Sequence, residues 1–353
     1  MSSPGAPSPR STEAAQALEG EPVARVLVAG ATGYTGALAA CLVWRHPRLE
    51  LFAATSRGEA GTSLDRLHPR HRVPVVLEEL DLAHAEEADA AIVAYPHGAS
   101  APAVAELRGL GASVVDLSAD FRLRDVPEYE RWYGPHGEPS LLEDAVYGIP
   151  ELHREAIREA ELVANPGCYP TAALLALAPL AEEGLIEDVV VDAKSGVSGA
   201  GRERGERLSF VNVTENLSPY AVEGHRHTPE LVQELRSMGH EGPVTFVPHL
   251  LPLDQGLLAS CYVTPARELD LEELRSLYRE RYSREPFVEL VDSPPGVRDV
   301  RDTNLCLIHV ERDSGSGRVL AFAAIDNLWK GASGQAIQNL NLMLGLDERE
   351  GLA

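Results

Sequence analysis

The stretch NPGCYPT, residues 165–171, sets a lone cysteine in a turn bounded by Pro166, Gly167 and Pro170, ahead of the apolar run TAALLALAPL. The other three cysteines, Cys41, Cys261 and Cys306, sit inside apolar or β-like runs, as small buried hydrophobes do. None forms a CxxC pair, and without a secretory signal a disulfide framework is not expected. A helix predicted over 169–183 and stopped by Gly184 places Cys168 at its N-terminus. Unpaired amides and the helix dipole there favour a thiolate, and Pro170 fits the first turn, where its missing N–H is not needed. Such a thiolate can hold an acyl carbon as a thioester or thiohemiacetal while hydride moves to or from that carbon. An inert, buried cysteine is the alternative.

Proton transfer needs a partner, and EGHRHTPEL offers His225 and His227. Residues two apart on an extended segment share a face, so one can act as acid/base and the other can bind an anion. A metal pair and a purely structural pair are the competing readings; no third ligand cluster lies near, and no metal is expected. The segment DAKSGVSGAGRERG, 192–205, carries Lys194, Ser195, Ser198, Gly199 and Arg202 among small residues. It reads either as an anion cradle of exposed amides and cations or as a flexible linker.

Hydride chemistry requires a dinucleotide. VLVAGATGYTG sets Gly30, Gly33 and Gly36 directly after an apolar strand and into a helix, the arrangement that brings amides and a helix N-terminus against a pyrophosphate. The second strand ends in ATSRGEAG, where Ser56 and Arg57 suit a 2′-phosphate, so NADP is expected unless Arg57 is only a solvated loop cation.

These residues must be held by elements. ARVLVAG, LELFAAT, ADAAIVAYP, ASVVDLS and AELVAN alternate with helix-like segments, which predicts a doubly wound parallel sheet of Rossmann type, with AELVAN (160–165) as its last strand. Beyond Cys168, β-like runs dominate around one charged helix, DLEELRSLYRERYS, which predicts an α+β unit with a mixed or antiparallel sheet. The C-terminal ASGQAIQNLNLMLGL has helical periodicity and is expected to fold back on the first unit. The division expected is a disordered tail over 1–21, an NADP-binding domain of 22–165 plus 326–353, and a catalytic and oligomerisation domain of 166–325.

A formal net charge of −23 argues against nucleic-acid partners and against adhesion to anionic membranes. It also requires any anionic substrate to enter a locally positive pocket. The only lysines are Lys194 and Lys330; an acidic, lysine-poor composition fits either a salt-adapted host or an arginine-rich genome. Without an apolar leader or span, a cytoplasmic protein is expected.

GATGYTG, PHG (96–98), DLSADFRL, YGIPEL, NPGCYPTAALLAL, KSGVSGAGR, GHRHTPE and IDNLWKGASGQAIQNLNLM together resemble the N-acetyl-γ-glutamyl-phosphate reductases of arginine biosynthesis, relatives of aspartate-semialdehyde dehydrogenase. The resemblance spans about residues 24–346. It implies an NADPH-dependent reductase of an acyl phosphate, with inorganic phosphate released and a homodimer or homotetramer as the assembly. It further implies Cys168 as nucleophile, His225 as acid/base, and His227, Arg122, Arg202 and Ser195 at the substrate. Thr32, Tyr34, Thr35, Pro96, His97, Gly98, Ser198, Gly199 and Asn327 would line the dinucleotide with the glycine turn. TSRGEAG and DLSADFRLRDVPEYERWYG also resemble a sister group that reduces aminoadipate or glutamate phosphates held on an acidic carrier protein. NPGCYPT, KSGVSGAGR and the charge of −23 favour the free acetylated substrate.

Overall fold

The computed structural model describes residues 20–202 and 206–352. The tail expected over 1–21 lies, through residue 19, outside them, as do residues 203–205 of the glycine-rich stretch.

The first sheet contains β1 (Ala24–Ala29), β2 (Leu49–Thr55), β3 (Ala90–Val93), β4 (Ser113–Asp116), β5 (Ala145–Tyr147) and β6 (Leu162–Ala164). All pair in parallel, in the order β2-β1-β3-β4-β6-β5. Both faces are covered, which is why the strands read as continuous apolar runs. On β1, Val26 and Val28 join the core formed with α1 (Tyr34–Arg45), whereas Leu27 and Ala29 join the core formed with α2 (Ala101–Gly109). The edge strand β5 was not anticipated; it is three residues long and gives no period of its own. AELVAN forms β6, the last strand along the chain but second from the edge.

The second sheet is mixed. β7 (Ile186–Gly196), β8 (Ser218–Pro219), β9 (Val244–Leu251), β10 (Leu257–Pro265), β11 (Val288–Leu290), β12 (Cys306–Arg312) and β13 (Val319–Ile325) run in the order β11-β12-β13-β10-β7-β9-β8. β7–β9 and β11–β12 are parallel and the other pairs antiparallel. After α3 (Val126–Tyr133) and α4 (Pro150–Glu159), the chain enters α5 (Cys168–Glu182) from β6. Residues Tyr169–Ala181 of α5 are all buried, as a helix apolar on every side must be, and α5 lies in the core against β10 and β13. Gly184, at φ +64, terminates it. Two helices flank the sheet, α6 (Thr228–Ser237), which was not anticipated, and α7 (Leu271–Tyr282), the expected charged helix.

From β13 the chain returns through a π-helical turn, Trp329–Ser333, into α8 (Gly334–Met343), whose Ala336, Ile337, Leu340 and Leu342 enter the core of the first sheet. The turn is pinned by Lys330. Its Nζ lies 2.7 Å from Glu151 Oε1 on α4 and donates to Gln338 Oε1 at 2.7 Å. Both charges are fully buried. Burial alone would raise the Glu151 pKa, but the Lys330 ammonium and its hydrogen bond take it below the ordinary carboxylate value.

Removing one member of a buried pair leaves the other uncompensated, so Lys330→Ala should cost about 3–5 kcal/mol of stability. Urea unfolding at constant m-value measures this. A loss below about 1 kcal/mol, the range of exposed pairs, would show that the pair is solvated.

Candidate active site

The three glycines of the turn do three different things. Gly30 takes φ +85, and a Cβ there would stand 2.7 Å from the Ala94 carbonyl oxygen, so it makes the turn at the end of β1. Gly36 abuts the Gly30 carbonyl, so helix and strand pack without a side chain between them. Gly33 is the N-cap of α1, and a Cβ on it would meet nothing within 4 Å. That open position faces a cleft of about 1090 Å³ that runs from the turn to Cys168. Unpaired amides at the start of α1 suit an anionic pyrophosphate.

Thr32, Tyr34, Thr35, Ser56, Arg57, Pro96, His97, Ser198, Gly199 and Asn327 line the same cleft. The Arg57 guanidinium lies over the Tyr95 ring, 4.4 Å from its centroid. Ser56 Oγ accepts from the amides of Gly58 and Glu59 and so fixes the loop that carries Arg57. His97 Nδ1 accepts from the Ala119 amide at 2.9 Å, and burial together with the Arg122 and Arg226 cations lowers its pKa to about 3. Asn327 donates to Ser198 Oγ and accepts from the Gly256 amide, tying the returning segment to the loop after β7. Gly98 does not line the cleft; its amide bonds Asp120 at 2.6 Å in a turn at φ +79.

Cys168 is the first residue of α5 and Gly167 its N-cap. The residue is half-buried at the inner end of the cleft, with Gly331 directly behind it: a Cβ on Gly331 would be 2.7 Å from Cys168 Cβ. The helix start is where it was expected, but the resting thiolate is not. Burial pushes the thiol up to about 11 against the opposing pull of Arg122 and the Tyr169 amide. The isolated sequence shows the helix amides but not the desolvation that outweighs them.

The two histidines do not share a face of an extended segment. Thr228 N bonds the His225 carbonyl, and the His227 amide donates to His225 Nδ1 at 3.0 Å, so the chain turns between them. His225 consequently sits among the rings of Tyr169, Tyr220, Phe246 and His227 and does not line the cleft. His227 does line it. Its Nε2 stands 2.5 Å from where a Gly167 Cβ would be, which only glycine at 167 permits. Burial lowers both pKa values, His225 to about 4 with help from Arg226, and His227 well below its ordinary value with help from His225, Arg122, His97 and Arg226. Both rings are therefore neutral at physiological pH, as a base must be before it takes a proton. Among the described residues no group of three His, Cys, Asp or Glu side chains is placed to hold a metal.

A residue not singled out from the sequence links these parts. Glu230, in the first turn of α6, is almost fully buried. Its Oε2 accepts from the Gly167 amide (3.0 Å) and Tyr147 Oη (2.9 Å); its Oε1 accepts from Arg122 (3.2 Å) and lies 3.9 Å from His227 Nε2. The signal was present in HTPELVQEL: a proline and an acid in a first helical turn, with Leu231 and Leu235 spaced by four.

The expected substrate cations fall differently. Arg122 spends all three guanidinium nitrogens, on the carbonyls of Asn165 and Leu117 and on Glu230, and stands as a fixed cation near the thiol. Arg202 donates to the Thr32 carbonyl at 3.2 Å, which puts it on the glycine turn rather than at the substrate end. Ser195 is buried and donates to the Gly196 carbonyl, outside the cleft lining. Arg226, which nothing in the HRH motif singles out, is exposed, lines the cleft and lies over Tyr133.

Comparison with known proteins places this geometry among relatives. The semialdehyde dehydrogenase NAD-binding domain family matches residues 25–160, and the semialdehyde dehydrogenase dimerisation domain family matches 168–327. The chain is 48% identical to the N-acetyl-gamma-glutamyl-phosphate reductase of Desulforudis audaxviator, over 93% of this chain and 97% of that one. It is 47% identical to that of Azotobacter vinelandii over 93% and 98%. Among solved structures, aspartate semialdehyde dehydrogenase II from Vibrio cholerae superposes with TM-score 0.71 at 20% identity, covering 91% of this chain and 98% of that one. The Candida albicans enzyme, solved with NADP, gives 0.67 at 17% identity, covering 91% and 98%.

With the thiol held near 11, the rate of Cys168 alkylation by iodoacetamide in the native, ligand-free protein should climb steadily from pH 7 to pH 10. A plateau below the ordinary thiol value of about 8.5 would show that the helix amides prevail over burial. Gly167→Ala should displace His227 and lower kcat/KM by about 100-fold, the cost of misplacing a reacting group by about 1 Å. Steady-state kinetics on protein with an unchanged circular dichroism spectrum tests it.

Proposed function

The chain belongs to the N-acetyl-γ-glutamyl-phosphate reductase family of the semialdehyde dehydrogenases, and from that premise we infer which of its residues carry the reaction. The enzyme reduces N-acetyl-γ-glutamyl phosphate to N-acetylglutamate 5-semialdehyde and phosphate with NADPH, in arginine biosynthesis. The residues of the glycine turn fit the dinucleotide: Gly33 leaves room at a helix N-terminus, and Arg57, backed by Tyr95, offers a cation for the 2′-phosphate. NADPH bound there supplies the hydride.

His227, in the place expected of His225, takes the proton from Cys168 Sγ. The sulfur lone pair then forms a bond to the acyl carbon, and phosphate leaves with the electron pair of the C–O bond. The amides of the first turn of α5, which have no intrahelical partner, are donors available to the oxygen that becomes negative. Once the acyl carbon of the thioester is reduced, His227 returns its proton to that oxygen. It takes the proton back as the C–S bond breaks and the aldehyde forms, and then passes it to the departing thiolate, which restores the thiol and the neutral imidazole. His225 orients His227 by accepting its backbone amide, and Glu230 and Arg122 hold the Gly167 loop. The observation that carries this reading is the His227 ring packed on Gly167, beside Cys168, in the cleft that begins at Gly33.

We assign dinucleotide binding to 22–165 with 326–353, and catalysis and oligomerisation to 166–325. The match to a dimerisation family supports assembly of copies. We propose a homodimer or homotetramer formed through the second sheet, at work in the cytoplasm on a free small-molecule substrate. No helix among the described residues is long and apolar enough to cross a membrane.

Cys168→Ser should abolish phosphate-dependent NADP reduction with N-acetylglutamate 5-semialdehyde, and full activity in that variant would end the covalent mechanism. His227→Asn should lower kcat by about 10²–10⁴-fold, the range for a lost acid/base, and His225→Asn by less. The reverse ranking would return the role to His225.

A further inference from the structure

The acyl phosphate carries two anionic groups, and the cleft offers four arginines for them and for the dinucleotide, Arg57, Arg122, Arg202 and Arg226. Three are already committed. Arg57 lies over Tyr95 at the dinucleotide end, Arg202 bonds the Thr32 carbonyl of the glycine turn, and Arg122 is buried with all its nitrogens engaged. Arg226 differs from all three. It is exposed, and among the described residues its guanidinium has no hydrogen bond or ion pair, only the Tyr133 face at 5.7 Å.

Its position in the chain sets which anion it meets. Arg226 stands between His225 and His227, and His227 packs on Gly167. The guanidinium lines the same cleft as His227 and Cys168, over the Tyr133 ring. The phosphate is bonded through one oxygen to the carbon that Cys168 attacks. The Arg122 charge, held there by the Asn165 carbonyl and by Glu230, which also accepts from the Gly167 amide, already serves that end through its field rather than through a free N–H. The α-carboxylate lies four bonds from the same carbon. An exposed guanidinium in the same cleft, with no hydrogen bond or ion pair among the described residues, is the cation available to it, and its planar fork suits a carboxylate. On a chain of net charge −23 this cation also supplies part of the local positive field that an anion needs in order to enter.

Building on the reductase reading, we propose that Arg226 is the specificity-determining residue that binds the α-carboxylate of the acyl chain. The test compares two aldehydes in phosphate-dependent NADP reduction: N-acetylglutamate 5-semialdehyde and 4-acetamidobutanal, the same chain without the carboxylate. In the wild type the carboxylated aldehyde should be preferred by kcat/KM. Arg226→Gln should reduce that preference by about 10–100-fold, mainly through KM for the carboxylated aldehyde, the scale of a lost charged hydrogen bond. Arg226→Lys should restore part of it, while the KM for phosphate stays as in the wild type. If both aldehydes lose equally, or if the KM for phosphate rises instead, the assignment is overturned while the reductase reading stands. If the wild type turns over neither aldehyde, the reductase reading fails and takes the assignment with it.

Discussion

A carboxylate buried as completely as Glu230 is tolerable only where both its oxygens are answered by donors, and the site is built around that requirement. The groups that answer it come from distant parts of the chain: Tyr147 from β5, Arg122 from the loop after β4, and the Gly167 amide from the turn before α5. Glu230 itself belongs to α6, beside the second sheet. Satisfying one charge therefore fixes the nucleophile's loop, a buried cation and the helix that begins at His227 relative to one another. Arg122 extends the constraint by bonding the carbonyls of Asn165 and Leu117, so the ends of β6 and β4 are held to the same point.

Burial also sets the protonation states. Cys168 faces opposed effects, helix amides and Arg122 pulling its pKa down and desolvation pushing it up, and desolvation prevails. A neutral thiol beside a neutral imidazole needs no counter-ion, so the site can wait without an unpaired buried charge. The negative charge then appears only when proton transfer and attack occur, where fixed donors and cations are already in place. The surrounding cations act on the imidazoles in the same direction as burial, which keeps His97 and His227 as neutral rings.

The far wall is held by the second buried pair. Lys330 and Glu151 join the returning turn to α4, and Gln338 bridges both. The returning segment delivers Gly331, in that turn, against Cys168, and Asn327, just before it, to Ser198. The cysteine is thus enclosed by two glycines, Gly167 toward the histidine and Gly331 behind, at positions where a single methyl group would displace a reacting group.

Local signals were legible in the sequence by itself. Strand–helix alternation, the spacing of Gly30, Gly33 and Gly36, the returning amphipathic helix and a cysteine at a helix start depend on short-range backbone preferences and periodicity, which a linear string records. The family was also legible, because its motifs combine along nearly the whole chain. Short or late elements were not: β5 has three residues and shows no period, and the helical pattern of α6 lay hidden behind the HRH motif. What only the tertiary structure decided were side-chain directions and desolvation. A turn that closes on His225 Nδ1 sends His225 into an aromatic cluster and His227 to the cleft. A bond to Glu230, 108 residues away, completes the engagement of Arg122, whereas Arg226 has no hydrogen bond or ion pair among the described residues and lies over Tyr133. Burial by distant segments raises the thiol that the helix start alone would have lowered. Each outcome depends on what packs around a group, and packing brings together residues whose separation in sequence carries no trace of their contact.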